Sequence, residues 1–474
     1  MGKHLPRLVL GLLALLPSCG GGTEPARPNV VLVVVDTLRA DHMSLYGHPR
    51  ATTPHLERLA EQAWVFERAS AGSSWTLPSM AMLFSGRYTP DNVWRVDPTW
   101  TPFPERFHEA GYRTGAVVTN VLLGAVERTG SDGSTVTSAS GFERGFDHYQ
   151  VFEPPVPPPG MRLKQRPHGW HASEVVERGT GWVEATDTAG APYLMWLHLF
   201  DPHHPRRPSR PDRFEPEGLD RLAHLPPELL AGLTADDRAW IASELAFYDS
   251  EVAAVDEAMA ELFAWLEERG ELDETIVVLT SDHGEGLWQR PLPAGENPKD
   301  HNKVPALYSD HGIQLYDEQV RVPLVLWAPG LSAGRRVGDP VSLVDLVPTL
   351  YELADLAPPD GGEELSGLSL VGDLSGREEL YAFCTRSSTV TVDGRWRLHL
   401  PAEYRLEKGW AVPELFDLEA DPLELSPVDD PERVAAMSAR LRDVSRLLAP
   451  STALSPEEQA ARRELLDAMG YTGQ

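Results

Sequence analysis

Short, unbroken apolar runs recur along this chain, and between them apolar residues return at helical spacing. The runs cover residues 30–35, 116–118, 193–197, 275–279 and 322–327. A run that is apolar at every position predicts a strand covered on both faces, as in a mostly parallel sheet clothed in helices. One helix signal begins at Thr53-Pro54, with a Thr cap and Pro at the first helical position; a much longer one covers about 236–268. Residues 130–141 and the Pro-rich run 154–159 predict exposed loops. Beyond about Pro358 the texture changes to short strands and turns, as in Val390-Thr391-Val392-Asp393-Gly394-Arg395-Trp396. A last helix opens at Ser455-Pro456 and stops at Gly470. The fold class that follows is α/β, a mostly parallel central sheet flanked by helices, with a smaller C-terminal α+β lobe. The expected division is 29–357 for the main domain, 358–449 for the lobe and 450–474 for the terminal helix.

The amino terminus adds an address. Lys3 and Arg7 precede the apolar run 8–16, and Pro17-Ser18-Cys19 supplies small residues at a cut site, which predicts an export signal over 1–18. The run is too short to span a bilayer, which takes ~20 residues. Leu16-Pro17-Ser18-Cys19 resembles a bacterial lipobox, which makes Cys19 the lipidation site and 19–28 a tether; ordinary secretion is the alternative. The expected location is a membrane-anchored lipoprotein facing the periplasm or cell exterior. The chain has two cysteines, so a lipidated Cys19 leaves Cys384 with no disulfide partner. A net charge of −29 argues against nucleic acid and against docking on anionic lipid by charge. An anionic substrate would then need a metal or a local basic patch, and Arg206-Arg207-Pro208-Ser209-Arg210 is one candidate patch.

In an open α/β sheet, ligands bind beyond the carboxyl ends of the strands. The first run ends in Asp36-Thr37. The third ends in His198, followed by Asp201-Pro202-His203-His204-Pro205, and the fourth in Ser281-Asp282-His283-Gly284-Glu285. Ser309-Asp310-His311-Gly312 precedes the last run. Asp36, Asp282 and His283 suit one divalent cation. Thr76, in Ser74-Trp75-Thr76-Leu77-Pro78-Ser79-Met80-Ala81, is the natural ligand for its open position. Pro78 and Ser79 favour the first turn of a helix, where free N–H groups and the positive dipole end gather. A threonine there is ordinarily a cap; beside a cation it becomes a nucleophile.

These residues, with segments 29–47, 53–60, 74–86, 198–205, 248–256, 280–285, 311–323, 345–349 and 414–421, resemble the sulfatase family of the alkaline phosphatase superfamily. The resemblance implies an alkaline phosphatase-like fold and a hydrolase of anionic sulfate or phosphate esters. It makes Asp36, Asp282 and His283 metal ligands and puts Thr76 at the place of the formylglycine precursor. His203 would hold a substrate oxyanion, and His311 would assist the leaving group or the transferred anion. His198 and Arg39 would support the substrate. Three positions depart from the pattern. Thr76 stands where the family has Cys or Ser, Met80 replaces the Arg of the modification motif, and Thr37 replaces the second Asp of a pair. Threonine cannot become an aldehyde, so formylglycine is not expected. A sulfated Thr lacks the second hydroxyl by which the formylglycine hydrate expels sulfate, whereas a phosphorylated Thr is open to attack at phosphorus. Phosphodiester or phosphonate transfer is therefore favoured over sulfuryl transfer. An all-oxygen site suits Ca²⁺, and the His283 imidazole moves the preference toward Mn²⁺ or Zn²⁺. A second ion at Asp201, His203 and His311 is a further possibility. The alternative function is a binding lipoprotein that kept the fold and lost turnover.

Overall fold

The computed structural model describes residues 27–89, 95–129, 135–138, 140–153, 169–187, 190–216, 218–299, 302–359, 365–374, 377–448, and 455, 456, 458 and 460. The export signal, Cys19, the Pro-rich run 154–159 and most of the expected terminal helix lie outside the described residues.

Strands β1 (Asn29–Val35), β2 (Trp64–Ser70) and β3 (Arg113–Val118) are followed by β4 (Val126–Thr129) and β5 (Thr135–Ser138). Then come β6 (His148–Val151), β7 (Tyr193–Leu199), β8 (Thr275–Ser281), β9 (Arg321–Trp327) and β10 (Arg335–Ser342). Eight of these form one sheet in the order β10-β2-β9-β8-β1-β7-β3-β6. Every pairing is parallel except those of β9, which runs against both neighbours, β8 and β2. All five apolar runs are strands of this sheet. Its centre is buried on both faces, as the unbroken runs require: Val30, Leu32 and Val34 of β1 enter one core, and Val31, Val33 and Val35 the other. Helices Thr76–Ser85, Phe103–Glu109 and Leu346–Leu353 cover the first face, and Ala172–Ala185 and Ala235–Arg269 the second.

The long helix begins at a full capping box between Thr234 and Asp237 and ends at Gly270 in the left-handed conformation. Pro54 opens the helix Pro54–Leu59, but the expected Thr53 cap makes no capping bond. Its hydroxyl accepts from the Leu45 amide instead, and buried Asp256 accepts from the amides of His55 and Leu56 at 3.0 and 2.7 Å. Part of the region read as a loop over 130–141 is the antiparallel hairpin β4–β5. The C-terminal lobe is an antiparallel sheet of β11 (Glu379–Cys384), β12 (Ser387–Val392), β13 (Trp396–Pro401) and β14 (Glu414–Asp417), with the helix Pro431–Leu447 packed on it. Met82 joins the lobe's core to the helix that carries Thr76.

Candidate metal centre and active site

The polar residues that end β1, β7 and β8 converge because their strands are adjacent. Asp36 extends the β1–β7 ladder by one bond, its amide donating to the Leu199 carbonyl at 2.9 Å. The next residue turns sharply, with Thr37 at φ 58, a conformation that branched side chains rarely adopt. Hydrogen bonds between strand ends hold that turn. The Thr37 amide donates to Asp282 Oδ1 at 3.2 Å, and the Leu38 amide to Ser281 Oγ at 2.9 Å. Tyr248 of the long helix donates its hydroxyl to the Thr37 carbonyl at 2.6 Å and accepts from the Arg39 amide.

Thr76 is the first residue of the helix Thr76–Ser85, not its cap; Trp75 holds the cap position and makes no side-chain capping bond. Ser79 fixes this helix end to the centre by donating to the Asp282 carbonyl at 2.5 Å. The Thr76 hydroxyl is thereby brought to 3.3 Å from His283 Nε2. His283 Nδ1 faces the Gly284 carbonyl at 2.8 Å, to which it can only donate, so Nε2 carries the lone pair. That nitrogen is 3.3 Å from Asp282 Oδ2 and 3.8 Å from Asp36 Oδ1. Gly284 is required by close approach, since a Cβ there would lie 2.0 Å from the Glu318 carbonyl oxygen.

These groups fit a divalent cation. Asp36 Oδ1, Asp282 Oδ2 and both ring nitrogens of His198 are buried without a hydrogen-bond partner among the described residues. His198 joins Asp36 and Asp282 in a group whose ligand atoms lie within 4.8 Å of one another. Burial, with Asp282 nearby, pushes the Asp36 carboxyl up to about 7, and burial lifts Asp282 to about 7 as well. Burial lowers His283 to about 4 and His198 to about 3, which keeps both rings neutral near pH 7 with lone pairs available. Two like charges and bare lone pairs in a dry pocket call for a positive ion between them.

The remaining predicted residues divide. His203 and His311 stand together, their ring centroids 5.1 Å apart, and His311 is 4.5 Å from His283. Burial and the neighbouring His311 hold His203 well below the ordinary histidine range. Burial opposes charge on His311 too, but Glu285 beside it raises that ring to about 9. Asp201 is engaged elsewhere, accepting from the Ala172 amide at 3.0 Å. Arg39 spends its guanidinium on Asp41 and on the Glu285 carbonyl, which makes it a brace beneath the site rather than a substrate contact. The basic segment is largely neutralised. Arg206 is buried against Glu244 and Glu285, and Arg210 pairs with Glu257.

Three participants were not anticipated from sequence: Asn120, which donates to Asp36 Oδ2 at 2.8 Å, Ser79 and Glu285. Asn120 follows β3, so the rule that located Asp36 and Asp282 applies to it as well. A cavity of about 310 Å³ lies beside this region, lined by Lys299, Asp310, Arg386, Tyr404 and Trp410 among others. A second His/Asp cluster, His42, His48 and Asp249, is closed by Arg50 at 2.8 Å from the Asp249 carboxylate.

Residues 28–356 match the family described as Sulfatase. An ulvan-active sulfatase of Formosa agariphila is 26% identical over 73% of this chain and 65% of its own length, so the match spans just under two thirds of that relative. Arylsulfatase K of Mus musculus is 24% identical over 88% of this chain and 79% of its own. Among solved structures, the phosphonate monoester hydrolase of Agrobacterium radiobacter superposes with a TM-score of 0.63 at 21% identity, covering 92% of this chain and 96% of that one. At that identity the likeness is one of fold, the alkaline phosphatase-like arrangement expected from the sequence.

Proposed function

The chain belongs to the sulfatase family, and from that premise we propose a metal-dependent hydrolase of monoanionic esters, with Thr76 as nucleophile and phosphoryl transfer from a diester or phosphonate as its better reaction. The observation that carries this reading is the Thr76 hydroxyl, buried at 2% exposure on a helix N-terminus and 3.3 Å from His283 Nε2, beside Asp36 and Asp282. It is a serviceable nucleophile that no cap consumes. Asp36, Asp282, His283 and Thr76 would hold the cation, with His198 within reach. The ion would supply a lower pKa for the Thr76 hydroxyl and charge neutralisation for the transferred group.

The chain's own groups account for the rest. Thr76 Oγ1 releases its proton to solvent before attack and bonds to phosphorus as the ester bond breaks, and the departing oxygen takes a proton from His311 Nε2. Water then attacks the same phosphorus with His311 accepting its proton, and Thr76 leaves as the Oγ1–P bond opens, ready for the next attack or reprotonated from solvent. His203 Nδ1 donates to the His204 carbonyl at 2.5 Å, so the neutral ring leaves Nε2 as an acceptor, suited to the attacking water rather than to the non-bridging oxygen that the sequence resemblance assigned to it. The site favours a monoanion because Arg39, Arg206 and Lys299 are already bound to Asp41, Glu285 and Asp310, which leaves His311 and the proposed cation as the positive groups facing the substrate. Family membership spans sulfate and phosphate chemistry, so the reaction is argued from the site and not from the fold.

The test is turnover of matched aryl sulfate, phosphate monoester, phosphodiester and phosphonate by wild type and Thr76→Val, with metal content measured. The expected result is diester or phosphonate cleavage that falls by on the order of 10³-fold or more in the variant, with phosphate trapped on Thr76 by acid quench and mass spectrometry. Wild-type turnover by Thr76→Val removes the nucleophile assignment. Sulfate trapped on Thr76 without release would place the chain among sulfatases that have lost turnover.

A further inference from the structure

Glu285 lies one position past the glycine that follows His283, and the reaction as derived above makes no use of it. Its Oε1 is 3.2 Å from His311 Nδ1, and its Oε2 is 3.5 Å from Arg206. Both carboxylate and imidazole are 2% exposed. Arg206 is itself fixed. It bonds Glu244 at 3.4 Å, lies over the ring of Tyr248 at 5.2 Å, and has a side chain only 1% exposed. The main chain at Glu285 is held independently of the side chain, its amide donating to the Glu318 carbonyl at 3.0 Å and its carbonyl accepting from Arg39 at 2.9 Å. A second carboxylate, Asp310, stands 3.7 Å from the same His311 nitrogen but is drawn off by Lys299 at 3.2 Å.

The geometry points to Glu285 as the positioning residue for His311, with Arg206 setting the carboxylate and the carboxylate setting the ring. Glu285 takes the proton on Nδ1, which leaves Nε2 as the nitrogen presented to the centre, toward the neighbouring His203 and His283 rings. With Nδ1–H held by the carboxylate, Nε2 is the nitrogen that gains the second proton and gives it to the departing oxygen; without that bond the ring can rotate and can carry its proton on either nitrogen. Glu285 touches no substrate and acts through His311. This inference rests on the hydrolase reading and assigns the orientation of one of its groups.

The test is a double-variant cycle on Glu285→Gln and His311→Ala, using the best ester found and a matched ester with a poorer leaving group. Glutamine keeps the shape and both polar contacts, so folding and bound metal are expected to match wild type by thermal melting and elemental analysis. Its amide oxygen goes to Arg206, which turns the NH₂ toward Nδ1; the doubly protonated ring that donates to the departing oxygen is disfavoured, and the neutral ring keeps its proton on Nε2, where it cannot accept one from water. The expected outcome is a fall in kcat of roughly 10- to 100-fold, larger for the poorer leaving group, with KM nearly unchanged. In the His311→Ala background the same change should alter kcat less than about 2-fold. Losses that multiply in the double variant, or a Glu285→Gln enzyme with wild-type kcat on both esters, overturn the assignment. If His311→Ala is itself as active as wild type, the proposed role of His311 fails, and Glu285 with it.

Discussion

Replacing Asp282 with asparagine should reverse the order of stability between metal-free and metal-loaded protein. The new side chain's Oδ1 can still accept from the amides of Thr37 and His283, as Asp282 Oδ1 does at 3.2 and 2.8 Å. Its NH₂ takes the place of Asp282 Oδ2, which faces the His283 Nε2 lone pair at 3.3 Å, so the variant gains a donor where the wild type sets acceptor against acceptor. The carboxyl's move from an ordinary 3.8 to about 7 corresponds to roughly 4 kcal/mol against its ionised form. A carboxyl raised on folding favours the native state below its unfolded value, and that contribution is lost as pH rises through about 7. At pH 8 the metal-free wild type therefore carries the whole penalty, and the variant does not. Thermal unfolding at pH 8 in strong chelator should show Asp282→Asn melting higher than wild type by about 4–8 °C. With a divalent ion in excess, wild type should gain stability by mass action and overtake the variant, which has lost a ligand charge. A variant less stable than wild type in chelator would refute the picture of a carboxylate pair held together only by a cation.

Three other expectations follow. Asn120→Ala removes the donor to Asp36 Oδ2 and leaves that oxygen buried and unsatisfied, so metal affinity should fall about 10- to 100-fold in a calorimetric titration. Burial and the adjacent Asp201 hold the Glu251 carboxyl at about 8. Its stabilising contribution is present at low pH and lost as pH rises through that value, so Glu251→Gln should be the more stable protein at pH 9 and show a flatter denaturant profile between pH 5 and 9. If Cys19 carries the lipid expected from the sequence, Cys19→Ser should release the protein from washed membranes or stall its processing, because the export run remains while the acceptor is gone; unchanged fractionation would point to another anchor.

The five apolar runs were legible because burial on both faces leaves no room for a polar position. β6 and β10 were not, for the converse reason, and β2 was missed because Glu67 and Arg68 interrupt its apolar run. β10 at the sheet edge reads RRVGDPVS and is half exposed, and β6 at the other edge is only partly buried throughout. The hairpin β4–β5 is built from Thr, Val and Ser among glycines, a composition that reads as loop. At the site, acids and imidazoles at strand ends could be found from residue type and position. Glu285 stood beside them in the sequence but gained meaning only from His311, 26 residues away and brought alongside by the fold. Ser79 was legible only as a helix-start residue; its bond to the centre was hidden for the same reason, since its partner carbonyl is 203 residues distant. The antiparallel direction of β9 was also invisible, because an apolar run carries no arrow.

That reversed strand shapes what this scaffold can become. Because β9 runs against β8, the chain leaves one strand and enters the next on the same rim of the sheet, with no crossover helix between them. The whole connection from Asp282 to Val320 therefore stays at that rim, with the proposed ligands Asp282 and His283 at one end and His311 near the other, and Leu287, Trp288, Val304 and Leu307 packed into the core. Its middle, around Asn297 and Lys299, faces the C-terminal lobe across the cavity that Arg386, Tyr404 and Trp410 help to line. Segments of different length or composition can be exchanged there without touching a core strand or a ligand. If the proposed centre is the reaction site, this one stretch is where the space beside it can be altered without moving Asp36, Asp282 or His283.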